Sequence, residues 1–173
     1  ETLAAASGIL LNGPEKFSAI GNKKSAGTKL VCLDSFFNKP GVYEIDMGTP
    51  MKKIFDEYGG GLKEDVKAFQ IGGPLGGVVP AIEIKKLNLD FQEFTAAGFM
   101  LGHASVVSIP KNFSMAEYIH HLFEFSAEES CGKCFPGRLG SYRGKEMFDQ
   151  LKKKTSKIPL KLLNDLLITM KKG

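Results

Sequence analysis

The chain has no tryptophan, and its 173 residues include only three cysteines and three histidines. An odd number of cysteines without regular spacing excludes a disulfide framework, so the expectation is a packed core in a reducing, intracellular compartment. No stretch approaches the roughly eighteen consecutive apolar residues that a membrane-crossing helix needs. Ala4 to Leu11 is short and has no basic start, so neither a membrane span nor a secretion signal is expected. His103 has no nucleophile or carboxylate pair beside it and reads as a hydrogen-bonded loop residue. No residue is assigned a catalytic role.

The charge is moderate, with a formal net value of +4. Much of the excess lies in Lys152, Lys153, Lys154, Lys157, Lys161, Lys171 and Lys172. No aromatic residues interleave with these lysines as single-strand binding requires, so nucleic acid is not an expected partner. A solvated basic face, or one that meets an acidic partner protein, fits the pattern.

What the chain does have is 43% hydrophobic residues, enough for a real core. Residues 1–27 end in a stretch rich in glycine, lysine, serine and asparagine, which places a boundary near Thr28. Thr2 could cap a helix that starts the chain. Leu30 to Phe37 and Val42 to Met47 read as two strands joined by Asn38-Lys39-Pro40-Gly41, and Cys32 as a buried core residue within the first. Thr49 and Pro50 predict an N-cap and a first helical position, with Met51, Ile54, Phe55 and Tyr58 on one face. Val66 to Ile71 is a third strand that runs into the loop Gly72-Gly73-Pro74-Leu75-Gly76-Gly77. That loop lacks the Lys-Ser/Thr of a phosphate-binding loop, so close backbone packing explains its glycines better than a nucleotide does. Ile82 to Phe94 is mixed and suits a short helix, and Ala104 to Ile109 reads as the last strand before Pro110.

From residue 111 the period becomes helical. Ser114 and Glu117 form a capping box, with Phe113 and Tyr118 spaced as a hydrophobic staple. Tyr142, Met147, Phe148 and Leu151 predict a second helix, and a third begins at Lys157-Ile158-Pro159 with Leu160, Leu163, Leu167 and Met170 among its apolar positions. The fold class is therefore α+β, with residues 28–110 followed by a small helical bundle over 111–173.

Between the first two helices stands Glu129-Ser130-Cys131-Gly132-Lys133-Cys134-Phe135-Pro136-Gly137-Arg138-Leu139-Gly140. A Cys-x-x-Cys turn suits a metal, an iron-sulfur cluster or a redox dithiol. His120 and His121 do not complete a zinc set, because adjacent helical residues point about 100° apart and the order fits no zinc spacing.

This run resembles the E-S-C-G-x-C-x-P-C-R-x-G signature of the NADH-binding flavoprotein subunits of complex I-type NADH:quinone oxidoreductases, shared with subunits of NAD-reducing hydrogenases and formate dehydrogenases. The resemblance spans nearly the whole chain and implies its carboxyl-terminal part. It implies a four-iron four-sulfur (4Fe-4S) cluster whose ligands here would include Cys131 and Cys134. The third signature cysteine is replaced by Gly137, and the counterpart of the fourth would fall beyond Gly173. Glu1, Thr2 and Leu3 resemble the end of the family's N-V-E-T-L segment beside the flavin, so Glu1 and Thr2 are cofactor-binding candidates and residues 1–27 would be the tail of an FMN- and NAD-binding domain. The order strand, strand, helix, strand, with the glycine loop after it, is similar to the ubiquitin-like β-grasp domain of the soluble-ligand-binding type found in this family.

The partners implied are a thioredoxin-like two-iron subunit and a larger iron-sulfur subunit. The place implied is the cytoplasm, or the cytoplasmic face of the inner membrane within a complex. Three functions follow as expectations: an electron-transfer segment using Cys131 and Cys134, a non-catalytic interaction module that has lost its cluster, or a dithiol or zinc site. The chain alone is expected not to oxidise NADH.

Overall fold

The computed structural model describes residues 2–152 and 158–172. The chain divides into two compact units, Glu1–Lys111 and Asn112–Gly173.

The first unit opens with two helices, α1 (Thr2–Asn12) and α2 (Pro14–Ser18). Its centre is a five-stranded mixed sheet of β1 (Thr28–Leu33), β2 (Gly41–Asp46), β3 (Val66–Ile71), β4 (Gly77–Pro80) and β5 (Ser105–Pro110). The spatial order is β2-β1-β5-β3-β4. β1 runs antiparallel to β2 and parallel to β5, and β3 runs antiparallel to both β5 and β4. α3 (Met51–Lys53) continues as a π-helical turn over Ile54–Tyr58, and α4 (Ala81–Ile84) and α5 (Phe91–Ala96) follow β4.

One face of the sheet carries the core. Val31, Leu33, Ile45, Phe69, Ile71, Val79 and Val106 pack with Met51, Ile54, Phe55, Ile84, Leu89 and Phe94 from the helices and loops. Phe55 sits between two rings, 5.0 Å from Phe37 and 4.9 Å from Phe69, and aromatic pairs at such spacings add to simple burial.

Several sequence expectations change here. Cys32 is exposed, not buried. Period 2 sends Val31 and Leu33 into the core and turns Leu30 and Cys32 to the other face, where Cys32 pairs with the exposed Val42. β1 stops at Leu33, because Asp34 accepts a hydrogen bond from the Phe36 N–H at 3.0 Å and another from the Ser108 hydroxyl at 3.1 Å. Phe37 enters the core from the connecting loop rather than from a strand.

Pro50, not Thr49, is the N-cap of α3, and the Thr49 hydroxyl instead donates to the Asp46 carbonyl at 2.8 Å. Gly77–Pro80 forms the additional strand β4, and the stretch after it holds two short helices rather than one. Asp90 caps the second of them by accepting from the Glu93 N–H at 2.9 Å.

The second unit contains α6 (Met115–Glu128), a π-helical turn Pro136–Gly140 that leads into α7 (Ser141–Lys152), and α8 (Leu160–Lys172). Ser114 caps α6 by accepting from the Glu117 N–H at 3.3 Å, and the Phe113 and Tyr118 rings meet edge to face at 6.3 Å. α6 and α7 pack through Phe123 and Phe148, stacked at 5.8 Å, with Ala127 and Met147 buried. α8 is shallower: no residue in it is buried, Leu163, Leu166 and Met170 are half-buried, and Leu160 and Leu167 are exposed. No helix among the described residues is long and apolar enough to cross a membrane.

Candidate functional site

The cysteine run begins where α6 ends. The Glu129 N–H bonds to the Phe125 carbonyl at 2.9 Å. The Ser130 hydroxyl oxygen then accepts from the Gly132 N–H at 3.1 Å, closing a tight side-chain turn. Gly132 has φ +72°, the left-handed region that favours glycine. Cys131 lies on this turn, and both Cys131 and Cys134 are exposed free thiols.

After Cys134 the chain becomes helical again. The Arg138 N–H bonds to the Cys134 carbonyl at 2.9 Å, and the Ser141 hydroxyl donates to the Pro136 carbonyl at 3.1 Å. Cys134 therefore stands at the amino end of a helical run that includes the π turn and α7. The run presents Phe135, Leu139 and Tyr142 to solvent beside the exposed Lys133 and Arg138.

Gly137 points back into the turn. A Cβ built on it would lie 2.5 Å from Ser130 Oγ and 3.8 Å from Cys134 Sγ. The space a side chain at 137 would need is thus already taken by the Ser130 hydroxyl, beside one of the two thiols. Two further glycines set how closely the helices approach. A Cβ on Gly144 would fall 2.2 Å from the Phe123 ring, and one on Gly140 would fall 2.7 Å from Met170 Cγ.

The histidines do not join the thiols. His120 is buried and its Nε2 lies 2.7 Å from Asp149 Oδ1, while His121 is exposed on α6. His103 belongs to the first unit, where it is exposed and its Nε2 would lie 2.5 Å from a Cβ on Gly73. The glycine loop is packed on backbone: a Cβ on Gly72 would meet the Leu101 carbonyl at 2.5 Å, and the buried Gln70 Nε2 donates to the Gly73 carbonyl at 2.6 Å. These close approaches account for the glycines structurally.

Lys145 Nζ lies 2.9 Å from Glu124 and 3.8 Å from Glu128. The hydrogen bond from Lys145 holds the Glu124 carboxyl below its ordinary value, and the same bond raises the Lys145 ammonium.

In the first unit, Glu1 lies outside the described residues. Thr2 opens α1 and lines a cleft of about 420 Å³ with Ala6, Ile9, Phe17, Lys29 and Phe91 among its walls. A neighbouring cleft of about 420 Å³ shares Ala5, Ile9, Phe17 and Thr28 with it. α1 has no buried residue, and Leu3, Leu10 and Leu11 are each more than 85% exposed.

Each iron of a four-iron cluster needs an outer protein ligand, usually a thiolate. The loop supplies two thiols, position 137 supplies no donor, and among the described residues no group of three or more His, Cys, Asp or Glu side chains is placed to hold a metal ion. With glycine at position 137, the donors of the described residues do not make up a four-thiolate set.

Residues 117–173 match the NADH-ubiquinone oxidoreductase-F iron-sulfur binding region. An F-type NADH-quinone oxidoreductase subunit of Rhizobium meliloti (strain 1021) is 41% identical over 142 residues, covering 81% of this chain and 34% of that protein. The NADP-reducing hydrogenase subunit HndC of Solidesulfovibrio fructosivorans is 32% identical over 155 residues, 88% of this chain and 31% of that protein. The crystal structure of an NAD+-reducing NiFe-hydrogenase in the H2-reduced state superposes with a TM-score of 0.82 at 27% identity, over 96% of this chain and 28% of that one. The chain spans about a third of the length of the curated relatives it matches.

Proposed function

We propose that this chain, a homologue of the F-type subunits of NADH-quinone oxidoreductases and of hydrogenase subunits related to them, is the carboxyl-terminal part of an NADH-oxidising flavoprotein subunit within an electron-input assembly. The observation that carries the proposal is the loop from Glu129 to Gly140, held between α6 and α7 with both thiols at the surface, inside the matched family region.

In this reading residues 1–27 close a flavin- and NAD-binding domain and Glu1 and Thr2 lie near the FMN. The sheet order, with β1 and β5 parallel at its centre, supports reading 28–110 as a β-grasp domain. Cys131 and Cys134 are the two ligand positions retained from the family's 4Fe-4S set. The exposed Phe135, Leu139 and Tyr142, with Lys133 and Arg138 beside them, face the partner iron-sulfur subunits, on the cytoplasmic side.

Gly137 favours a second reading, in which the chain docks those partners without holding a cluster, because a four-thiolate set lacks a member at that position.

One experiment separates them. In the native protein, isolated with its partner subunits, both Cys131 and Cys134 are exchanged for alanine, and NADH-dependent reduction of a flavin-level acceptor is compared with that of the assembly's terminal acceptor. The electron-transfer reading expects the second activity to fall at least tenfold while the first persists. Unchanged activities with an intact assembly support the docking reading, and an assembly without NADH-dependent activity of either kind before mutation refutes both.

A further inference from the structure

The mismatch between the signature and its donor set has a chemical consequence for the two thiols that remain. We infer that Cys131 and Cys134 form a reversible dithiol–disulfide pair, sensitive to the surrounding thiol pool, in place of two cluster thiolates. The inference rests on the docking reading rather than the electron-transfer one, since it concerns what the loop does without a full ligand set.

Four features of the loop carry it. The cysteines are three residues apart across a turn that Gly132 closes at φ +72°, and a Cβ there would meet nothing within 4 Å, so the turn is unobstructed. Both thiols are exposed and therefore open to a small disulfide. Among the described residues no third donor is grouped with them: His120 is held by Asp149, and position 137 is a glycine whose side-chain space holds the Ser130 hydroxyl. Ser130 also fixes the near side of the turn through the Gly132 N–H, while the Arg138 N–H fixes Cys134 on the far side through its carbonyl. Vicinal thiols on a short turn exchange readily because the second sulfur attacks the mixed disulfide formed by the first.

The step balances with a small-molecule disulfide of the glutathione class as oxidant. One protein thiolate attacks a sulfur of that disulfide, whose S–S bond breaks and releases one small thiol. The second protein thiolate then attacks the mixed disulfide, an S–S bond forms between Cys131 and Cys134, and a second small thiol leaves. Two electrons and two protons pass from the protein dithiol to the small disulfide, and excess small thiol reverses the sequence.

The test equilibrates the chain anaerobically in buffers of stepped ratios of reduced to oxidised glutathione, quenches with an alkylating reagent and counts free thiols by mass spectrometry. The expected result is a single two-electron transition in which Cys131 and Cys134 lose reactivity together and a peptide linked between them appears. Cys131→Ser should remove that species and leave a glutathione adduct on Cys134, and Cys32→Ser should leave the transition unchanged. Glutathione adducts on each cysteine without the internal link would overturn the inference. So would thiols that stay reactive at every ratio, or uptake of about four irons per chain on anaerobic reconstitution.

Discussion

His120 Nε2 lies 2.7 Å from Asp149 Oδ1, tying α6 to α7 through a histidine that is 9% exposed. The Asp149 side chain is 39% exposed, so water can take over part of a lost bond, and truncating the histidine should cost about 0.5–1.5 kcal/mol for the hydrogen bond. His120→Ala should therefore lower the urea midpoint of the chain, followed by far-ultraviolet circular dichroism, with little change in slope. Asp149→Asn keeps a hydrogen-bonding oxygen and should cost less. Equal midpoints for both variants and the native chain would show that the pair contributes nothing to the helical unit.

Acid should weaken both units, each through a carboxylate whose pKa is depressed in the folded state. Burial pushes the Asp90 carboxyl up, but hydrogen bonds from Asn22, the Glu93 N–H, Ser25 and Gln92 outweigh it and hold the group below the ordinary aspartate value. Glu124 is depressed by the hydrogen bond and charge of Lys145. A depressed folded value means that the stabilisation is present above the unfolded pKa and is lost as pH falls through the folded one. Stability should therefore decline below about pH 4. Asp90→Asn, which can still cap α5, and Glu124→Gln should each flatten part of that decline. A midpoint as steep with pH in the double variant as in the native chain would contradict the assignment.

Two glycines in the helical unit make opposite predictions. Replacing a helical glycine by alanine ordinarily stabilises by about 0.5–1 kcal/mol. At Gly144 the new methyl would sit 2.2 Å from the Phe123 ring, whose stacking on Phe148 leaves it little room, and overpacking costs about 1–3 kcal/mol. The clash wins, so Gly144→Ala should destabilise. At Gly140 the obstacle is the Met170 side chain from Cγ outward, unbranched and able to turn aside. Gly140→Ala should be neutral or slightly stabilising, and thermal melts of the two variants give the comparison directly.

The parts of the fold that the sequence made legible are those governed by local chemistry. Ser114 and Glu117 marked the start of α6, Phe113 and Tyr118 marked its staple, and the glycines at 72 and 73 marked a backbone-packed loop. What stayed hidden depends on partners distant in sequence. Cys32 looked like core because its neighbours are apolar, yet which face of β1 is covered depends on the pairing of β1 with β2 and β5. β4 is only four residues long, starts with glycine and ends with proline, so it lacks a strand signature, and its pairing with β3 creates it. In the loop, the two cysteines were plain from spacing. The contest between Ser130 and position 137 was not, since it arises only when the turn and the π-helical segment fold against each other.

That contest sets the outcome of restoring the third signature residue. In Gly137→Cys the new Cβ would lie 2.5 Å from Ser130 Oγ, too close to remain, and 3.8 Å from Cys134 Sγ, an ordinary contact. The serine must turn away, and in doing so it gives up the Gly132 N–H, a net loss of about 0.5–1.5 kcal/mol. The variant should therefore be slightly less stable than the native chain while carrying three thiols on one short loop. Three thiolates hold iron and sulfide better than two, so the iron retained after anaerobic reconstitution and desalting should rise clearly above that of the native chain. Adding Ser130→Ala should recover room for the new side chain without creating a donor, raising retained iron further or leaving it equal. If Gly137→Cys retains no more iron than the native chain, and the double variant does no better, then position 137 does not point toward the ligand site and the pairing of Ser130 with Gly137 is a packing detail of the turn.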